Sequence, residues 1–365
     1  MKYKYPVYRP LLNGNEKKYV NKCLDSTWIS SKGEFISEFE KKFALFTNSK
    51  YAIAVPNGTI ALHLALLTLG IGRGDEVLVP TLTYVASANA VSYTNAKPVF
   101  IDSLSGSWQP DPEDIRKKIT KSTKAIMVAH LYGYPSDMEE ILKIAKEHNL
   151  LVVEDCAEAF GSKLKNKHVG NWGNIASFSF FGNKTITTGE GGMVVMNNGK
   201  LYNLALRLKG QGLAKNREYW HDIVGYNYRI TNICAAIGLA QLERANRIIA
   251  KKRQIAKWYF DFLRDLPLEF HKETKEIFHS YWMVNILVSN SKSRDKLRNN
   301  LFKAGIETRP IFFPIHTMPI YYKKGQRLPV AEDIAKRGVT LPSYPGLSKN
   351  DVLYICNKIR EFFVN

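Results

Sequence analysis

The run Ser177-Phe-Ser-Phe-Phe-Gly-Asn-Lys184-Thr-Ile-Thr-Thr-Gly-Glu-Gly-Gly192 sets one lysine among phenylalanines and glycines. Phenylalanines alternating with small residues up to Phe181 predict a buried strand that ends at Gly182, with Lys184 just beyond it. An amine held there loses hydration, and its pKa falls from the usual ~10.4. Its neutral fraction is then able to form a Schiff base with a carbonyl cofactor. A lysine whose stem packs on the rings while its head reaches water satisfies the same pattern.

Other residues bear on the choice. Leu150-Leu-Val-Val-Glu-Asp155-Cys-Ala-Glu158 places acids at the end of an unbroken apolar run, where parallel α/β sheets bind ligands. A carboxylate at Asp155 would keep a pyridine nitrogen protonated, or it would simply cap a following helix. Val55-Pro-Asn57-Gly58-Thr59 joins a strand to a helix and offers backbone N–H groups and a hydroxyl to a phosphate, and it is equally a good turn. Ser179 adds a second hydroxyl. Tyr84 also follows a strand, where it would either stack on a planar ring or fill the core. His130 ends the next strand, where it would contact the same ring or order Asp155. Gly189, Gly191 and Gly192 lead into a strand instead of a helix, which excludes a dinucleotide fingerprint.

These residues must be carried by a sheet. Apolar runs at 51–55, 76–80, 98–102, 125–130, 150–155, 175–180 and 192–196 alternate with helical spacing at 60–69, 112–119 and 137–148. The pattern predicts an α/β fold, with a mostly parallel seven-stranded sheet flanked by helices. A long helical stretch over 231–263 connects it to a smaller α+β unit, with a strand at 281–288 and helices at 293–304, 330–337 and 349–363. The division expected is residues 1–245 and 246–365.

The 365 residues are 45% apolar and 23% charged, as in globular proteins. The first ten residues lack a signal-peptide core and no run is long enough to span a membrane, so a cytoplasmic location is expected. Cys23, Cys156, Cys234 and Cys356 have no zinc or disulfide spacing, and the eight histidines show no ligand motif, so no catalytic metal is expected. The net charge of +19 is dispersed, which argues against a nucleic-acid arm and suits solvated faces or a polyanionic small substrate.

Taken together, Asn57-Gly58-Thr59, Asp155, Ser179 and Lys184 resemble pyridoxal-phosphate enzymes of the aspartate aminotransferase fold (fold type I). More narrowly, they resemble the nucleotide-sugar aminotransferases of the DegT/StrS family. The resemblance runs from Trp28-Ile-Ser-Ser-Lys-Gly33 to Arg309-Pro-Ile-Phe-Phe-Pro-Ile-His316. It implies pyridoxal 5'-phosphate, passing through pyridoxamine 5'-phosphate, with Lys184 as the Schiff-base lysine and Asp155 at the pyridine nitrogen. It also implies Tyr84 on the ring face, Glu158 near the cofactor hydroxyl, and Gly58, Thr59 and Ser179 at the phosphate. Asn227, in Tyr226-Asn-Tyr-Arg-Ile-Thr-Asn232, is implied to reach the neighbouring subunit's phosphate in a homodimer with shared sites. Trp28, Ser30, His130, Arg309 and His316 fall in stretches resembling substrate contacts. The activity implied is amino transfer from L-glutamate to C4 of GDP-4-keto-6-deoxy-D-mannose. A UDP- or dTDP-linked keto sugar, or cofactor binding without turnover, are the alternatives.

Overall fold

The computed structural model describes residues 3–271 and 273–364. The chain begins with helices α1 (Glu16–Asp25) and α2 (Glu34–Thr47), then enters an alternating series: β1 (Tyr51–Val55), α3 (Gly58–Thr68), β2 (Glu76–Pro80), α4 (Ala86–Tyr93) and β3 (Lys97–Ile101). It continues through α5 (Pro112–Lys118), β4 (Thr123–Ala129), α6 (Met138–Glu147) and β5 (Leu151–Asp155). A short hairpin, β6 (Lys163–Leu164) and β7 (Lys167–His168), precedes β8 (Ile175–Ser179) and β9 (Gly192–Met196). The seven strands order as β1-β9-β8-β5-β4-β2-β3. Only β9 runs against its neighbours, so the carboxyl ends of the other six share one edge.

Alternation along the strands divides the core. Ala52, Ala54, Phe178 and Phe180 face α2 and a later helix, α8 (Asn232–Leu242), while Ile53, Val55, Val194 and Met196 face α3 and α7 (Gly199–Lys209). Burial on both faces explains the nearly continuous apolar strand sequences. On α6, Met138, Ile141 and Ile144 lie on one buried stripe, and the Asp137 side chain caps its start by accepting the Glu140 N–H.

Two local expectations change. The strand before Lys184 ends at Ser179, not Gly182. The Lys184 N–H donates to the Phe181 carbonyl in a turn that leaves Phe181 about half exposed. The stretch 231–263 is two helices, α8 and α9 (Ala245–Leu263), parted where Arg244 leaves helical geometry. Asn15 and Tyr19 both hydrogen-bond to the Glu243 carboxylate at this joint.

α9 then passes from one core to another: Ile248 and Ile249 pack with the large sheet, and Ile255, Tyr259 and Leu263 with a second core. That core lies on a four-stranded antiparallel sheet, β10 (Glu269–Phe270), β12 (Val284–Leu287), β14 (Gly338–Leu341) and β13 (Arg309–Pro310), in that order. β11 (Ile277–Phe278) instead pairs with β6. Helices α10 (Ser291–Lys303), α11 (Pro329–Arg337) and α12 (Lys349–Val364) complete this unit. The start of the chain joins it too: Tyr5 bridges Ile306, and the Val7 N–H donates to Glu307 Oε2 at 2.8 Å. No described helix is long and apolar enough to cross a membrane.

Candidate active site

At the shared edge of the strands lies a cavity of about 450 Å³. β5 brings Asp155, β8 brings Ser179, the end of β4 brings His130, and the start of α3 brings Gly58 and Thr59. Tyr84, Glu158, Lys184 and Arg309 complete the predicted residues that line it. The structure therefore gathers nine of the thirteen residues singled out from the sequence.

Lys184 enters with its head group enclosed. Its Nζ lies 3.6 Å from Glu158 Oε1 and 3.9 Å from the centre of the Trp282 ring. Burial lowers its pKa, opposed by the charges of Glu158 and Asp155. Burial likewise pushes the Glu158 carboxyl up to about 7, against the pull of Lys184 and of the Tyr132 N–H, which donates to Oε2 at 2.9 Å. The pair thus holds an acid and an amine both displaced toward neutrality, a pattern suited to proton transfer near neutral pH.

Asp155 is fixed through both oxygens: Oδ2 accepts the Ser87 hydroxyl at 2.8 Å and Oδ1 the Ala157 N–H at 3.1 Å. At the other end, Asn57 caps α3 by accepting the Ile60 N–H at 2.9 Å, which leaves the first N–H groups of the helix facing the cavity edge. Gly58 must lack a side chain, because a Cβ there would sit 2.7 Å from Ser179 Cβ. The glycine lets the helix start and the Ser179 hydroxyl close around one small volume, which suits an anion.

His130 lines the cavity but is committed elsewhere. Its Nδ1 accepts the Ser136 N–H at 3.1 Å, so the ring proton is on Nε2, which donates to Glu154 Oε2 at 3.0 Å. Glu154 is fully buried and also accepts from the N–H groups of Gly170, Trp172 and Gly173. The ligand-type atoms of His130, Glu154 and Cys156 lie close together, but those backbone donors already occupy both carboxylate oxygens.

Four predicted residues lie outside the cavity lining. His316 is buried, with Nδ1 2.8 Å from Thr81 Oγ1 and Nε2 3.3 Å from Glu332 Oε1. Trp28 is exposed and lines a separate cleft with Gly33 and Asn232. The Ser30 carbonyl accepts the Asn232 N–H at 2.6 Å. Asn227 is exposed, and its Oδ1 accepts from Arg229 Nε at 2.9 Å.

Sequence reasoning missed the residues that clamp the Lys184 loop. The Tyr8 hydroxyl donates to the Lys184 carbonyl at 2.5 Å, and Trp282 Nε1–H to the Asn183 carbonyl at 2.7 Å. Both come from distant parts of the chain and carry no local motif. Ser87 stood in plain view, in Tyr84-Val-Ala-Ser87, one helical turn after Tyr84.

The sequence model of the DegT/DnrJ/EryC1/StrS aminotransferase family matches residues 10–360. The chain belongs to this family. Within it, the chain is similar to the GDP-perosamine synthase of Escherichia coli O157:H7, at 60% identity over 100% of this chain and 99% of the relative. Its identity to the GDP-perosamine synthase of Vibrio cholerae is 49%, over 98% of this chain and 99% of the relative. Among solved structures, DesV of S. venezuelae in complex with a ketimine intermediate aligns with a TM-score of 0.90 at 32% identity, covering 95% of this chain and 94% of DesV. This DegT/DnrJ/EryC1/StrS member is a pyridoxal-phosphate-dependent aminotransferase of the type I fold. Its cavity fits that cofactor by its own groups: a buried amine, an oriented carboxylate, and an anion seat that a Cβ at position 58 would fill.

Proposed function

We propose that this chain transfers the amino group of L-glutamate to C4 of GDP-4-keto-6-deoxy-D-mannose, giving GDP-perosamine and 2-oxoglutarate. The observation that carries the reading is the enclosure of Lys184 beside Glu158 and Asp155 in one cavity, in a chain 60% identical to a GDP-perosamine synthase. When bound, pyridoxal phosphate supplies a carbonyl for Lys184 and an electron sink for the substrate carbanion. Asp155, held by Ser87, keeps the ring nitrogen protonated. Gly58, Thr59 and Ser179 hold the phosphate, and Tyr84 covers the ring face. Lys184, once free, takes a proton at Nζ from the substrate carbon and returns it on the other side of the transfer, a role worth roughly 10²- to 10⁴-fold. Glu158, whose carboxyl is pushed up to about 7 by burial, can exchange that proton with Nζ across 3.6 Å. Arg309, at the cavity rim and about half exposed, receives the anionic part of the substrate.

The reading includes a homodimer in which Asn227 serves the cavity of the second copy. Asn227 is exposed and lies outside its own cavity, near the strongly exposed Tyr219 and Val224. Mixing inactive Lys184→Ala and Asn227→Ala proteins should restore activity if sites are shared, because one site per mixed dimer is then complete. No recovery after subunit exchange refutes the sharing.

The substrate is tested by incubation with glutamate and a panel of GDP-, UDP- and dTDP-linked 4-keto sugars, with products identified by mass. Turnover confined to UDP or dTDP sugars refutes the GDP assignment, and cofactor binding without any turnover refutes the activity. Lys184→Ala should lose the visible absorption of lysine-bound cofactor and all transamination.

A further inference from the structure

Trp282 is buried, just before β12 in the antiparallel sheet. It meets the Lys184 loop in two ways: Nε1–H anchors the Asn183 carbonyl at 2.7 Å, and the ring centre lies 3.9 Å from Lys184 Nζ. Its own backbone N–H donates to the Tyr132 carbonyl at 3.1 Å, and the Tyr132 and Trp282 rings stack with 12° between their planes.

The placement is maintained against conformational cost. Tyr281 and Tyr132 adopt φ of 50° and 56°, a left-handed geometry that bulky residues rarely take. Such conformations persist only where the surroundings over-determine them. Between them Gly133, at φ 96°, has no room for a side chain, since a Cβ would lie 3.1 Å from Trp282 N and 2.8 Å from Ser280 Oγ. Two turns that disfavour their own residues are thus pressed together, and the indole is delivered to the lysine.

An ammonium group is attracted to the face of an indole, most strongly where water is excluded. Lys184 Nζ has that face on one side and the Glu158 carboxylate, 3.6 Å away, on another. Burial disfavours the ammonium form, and the indole face, Glu158 and the charge of Asp155 together oppose that loss of the proton.

We propose that Trp282 is a positioning residue for Lys184, whose ring face docks the ε-ammonium whenever the lysine is not joined to the cofactor. The inference rests on the reading of Lys184 as the cofactor lysine. The proton that the neutral amine takes from the substrate carbon is then held on Nζ against the indole until Nζ gives it up. No other atom changes hands.

The test uses the full-length chain freed of cofactor, so it is independent of turnover. Acylation of Lys184 by an amine reagent, quantified by mass spectrometry across pH, gives the midpoint at which the amine becomes reactive. Fluorinated tryptophans at position 282 alone keep the shape and the N–H donor while weakening the ring face. The midpoint should fall stepwise with fluorination, to about one pH unit, a tenfold change in the charged-to-neutral ratio. Trp282→Leu should show at least that fall, and Trp282→Phe, which keeps a ring face, a smaller one. An unchanged midpoint in the fluorinated series overturns the proposal, whether or not Trp282→Leu folds. Equal shifts for Phe and Leu also overturn it, because the lost N–H anchor would then be the cause. If wild-type protein shows no visible absorption with added cofactor, the functional reading fails separately and the midpoints remain interpretable.

Discussion

Glu158 Oε1 and Lys184 Nζ face each other across 3.6 Å with both side chains nearly buried, and each group is displaced toward its neutral form while attracting the other's charge. The pair is therefore responsive to pH in a range where isolated carboxylates and amines are not.

The sign of that response can be worked out for stability. Glu158 moves from an ordinary 4.5 to about 7 in the folded protein. Between those values the folded chain keeps a proton that the unfolded chain has released, so stability falls as pH rises through the interval. Glu158→Gln keeps an acceptor for the Tyr132 N–H and removes the fall. Urea unfolding should show the variant gaining on wild type by up to about 3 kcal/mol between pH 4.5 and 7. A difference that stays constant with pH would show that Glu158 does not titrate there.

Gly58 and Ser179 form a second testable contact. Gly58→Ala would place its Cβ 2.7 Å from Ser179 Cβ and 3.1 Å from Oγ. The hydroxyl can rotate away but Ser179 Cβ is fixed to the strand backbone, so a loss of about 1–3 kcal/mol is expected, together with weaker cofactor retention on dialysis. Adding Ser179→Gly should recover most of the stability but not the retention, because a hydroxyl assigned to the phosphate is gone. Recovery of both would remove Ser179 from that role.

Lys252 is fully buried on α9, with Nζ donating to the Ser343 carbonyl at 3.0 Å, and burial lowers its pKa from 10.5 to about 7. Here the folded chain binds fewer protons than the unfolded one, so stability rises as pH climbs from about 7 to 10.5 and is lost again on descent. Lys252→Met should abolish a rise of up to about 5 kcal/mol across that window. Calorimetric Tm values at pH 7 and 10 would show it, and parallel pH dependences in wild type and variant would refute it.

The large sheet was legible because its strands are buried on both faces, so Val, Ile and Leu runs stand out between helical segments. Residues at strand ends then followed from topology, which is why Asp155, Ser179 and His130 come to one edge. The smaller sheet was mostly hidden: β10 and β13 are two residues each and exist through partners far along the chain. Trp282 was hidden for a related reason. Tyr281–Val288 reads as one continuous strand, which conceals the bend at Tyr281 that aims the indole. A glutamate inside the apolar run Leu-Val-Val-Glu154 was visible as an anomaly, but its donors on residues 170–173 follow from tertiary folding alone.

The hydrogen bond from Tyr8 to the Lys184 carbonyl also has a consequence for how the molecule is made. The segment bearing Tyr8 is moored at Gly305, Ile306 and Glu307, and at roughly 5–20 residues per second these emerge on the order of tens of seconds after Tyr8 itself. The segment bearing Tyr8 is thus translated long before the residues that moor it and is late to reach its native contacts. The loop at the centre of the site waits on them, and a ribosome that stalls before residue 305 leaves Lys184 without that anchor.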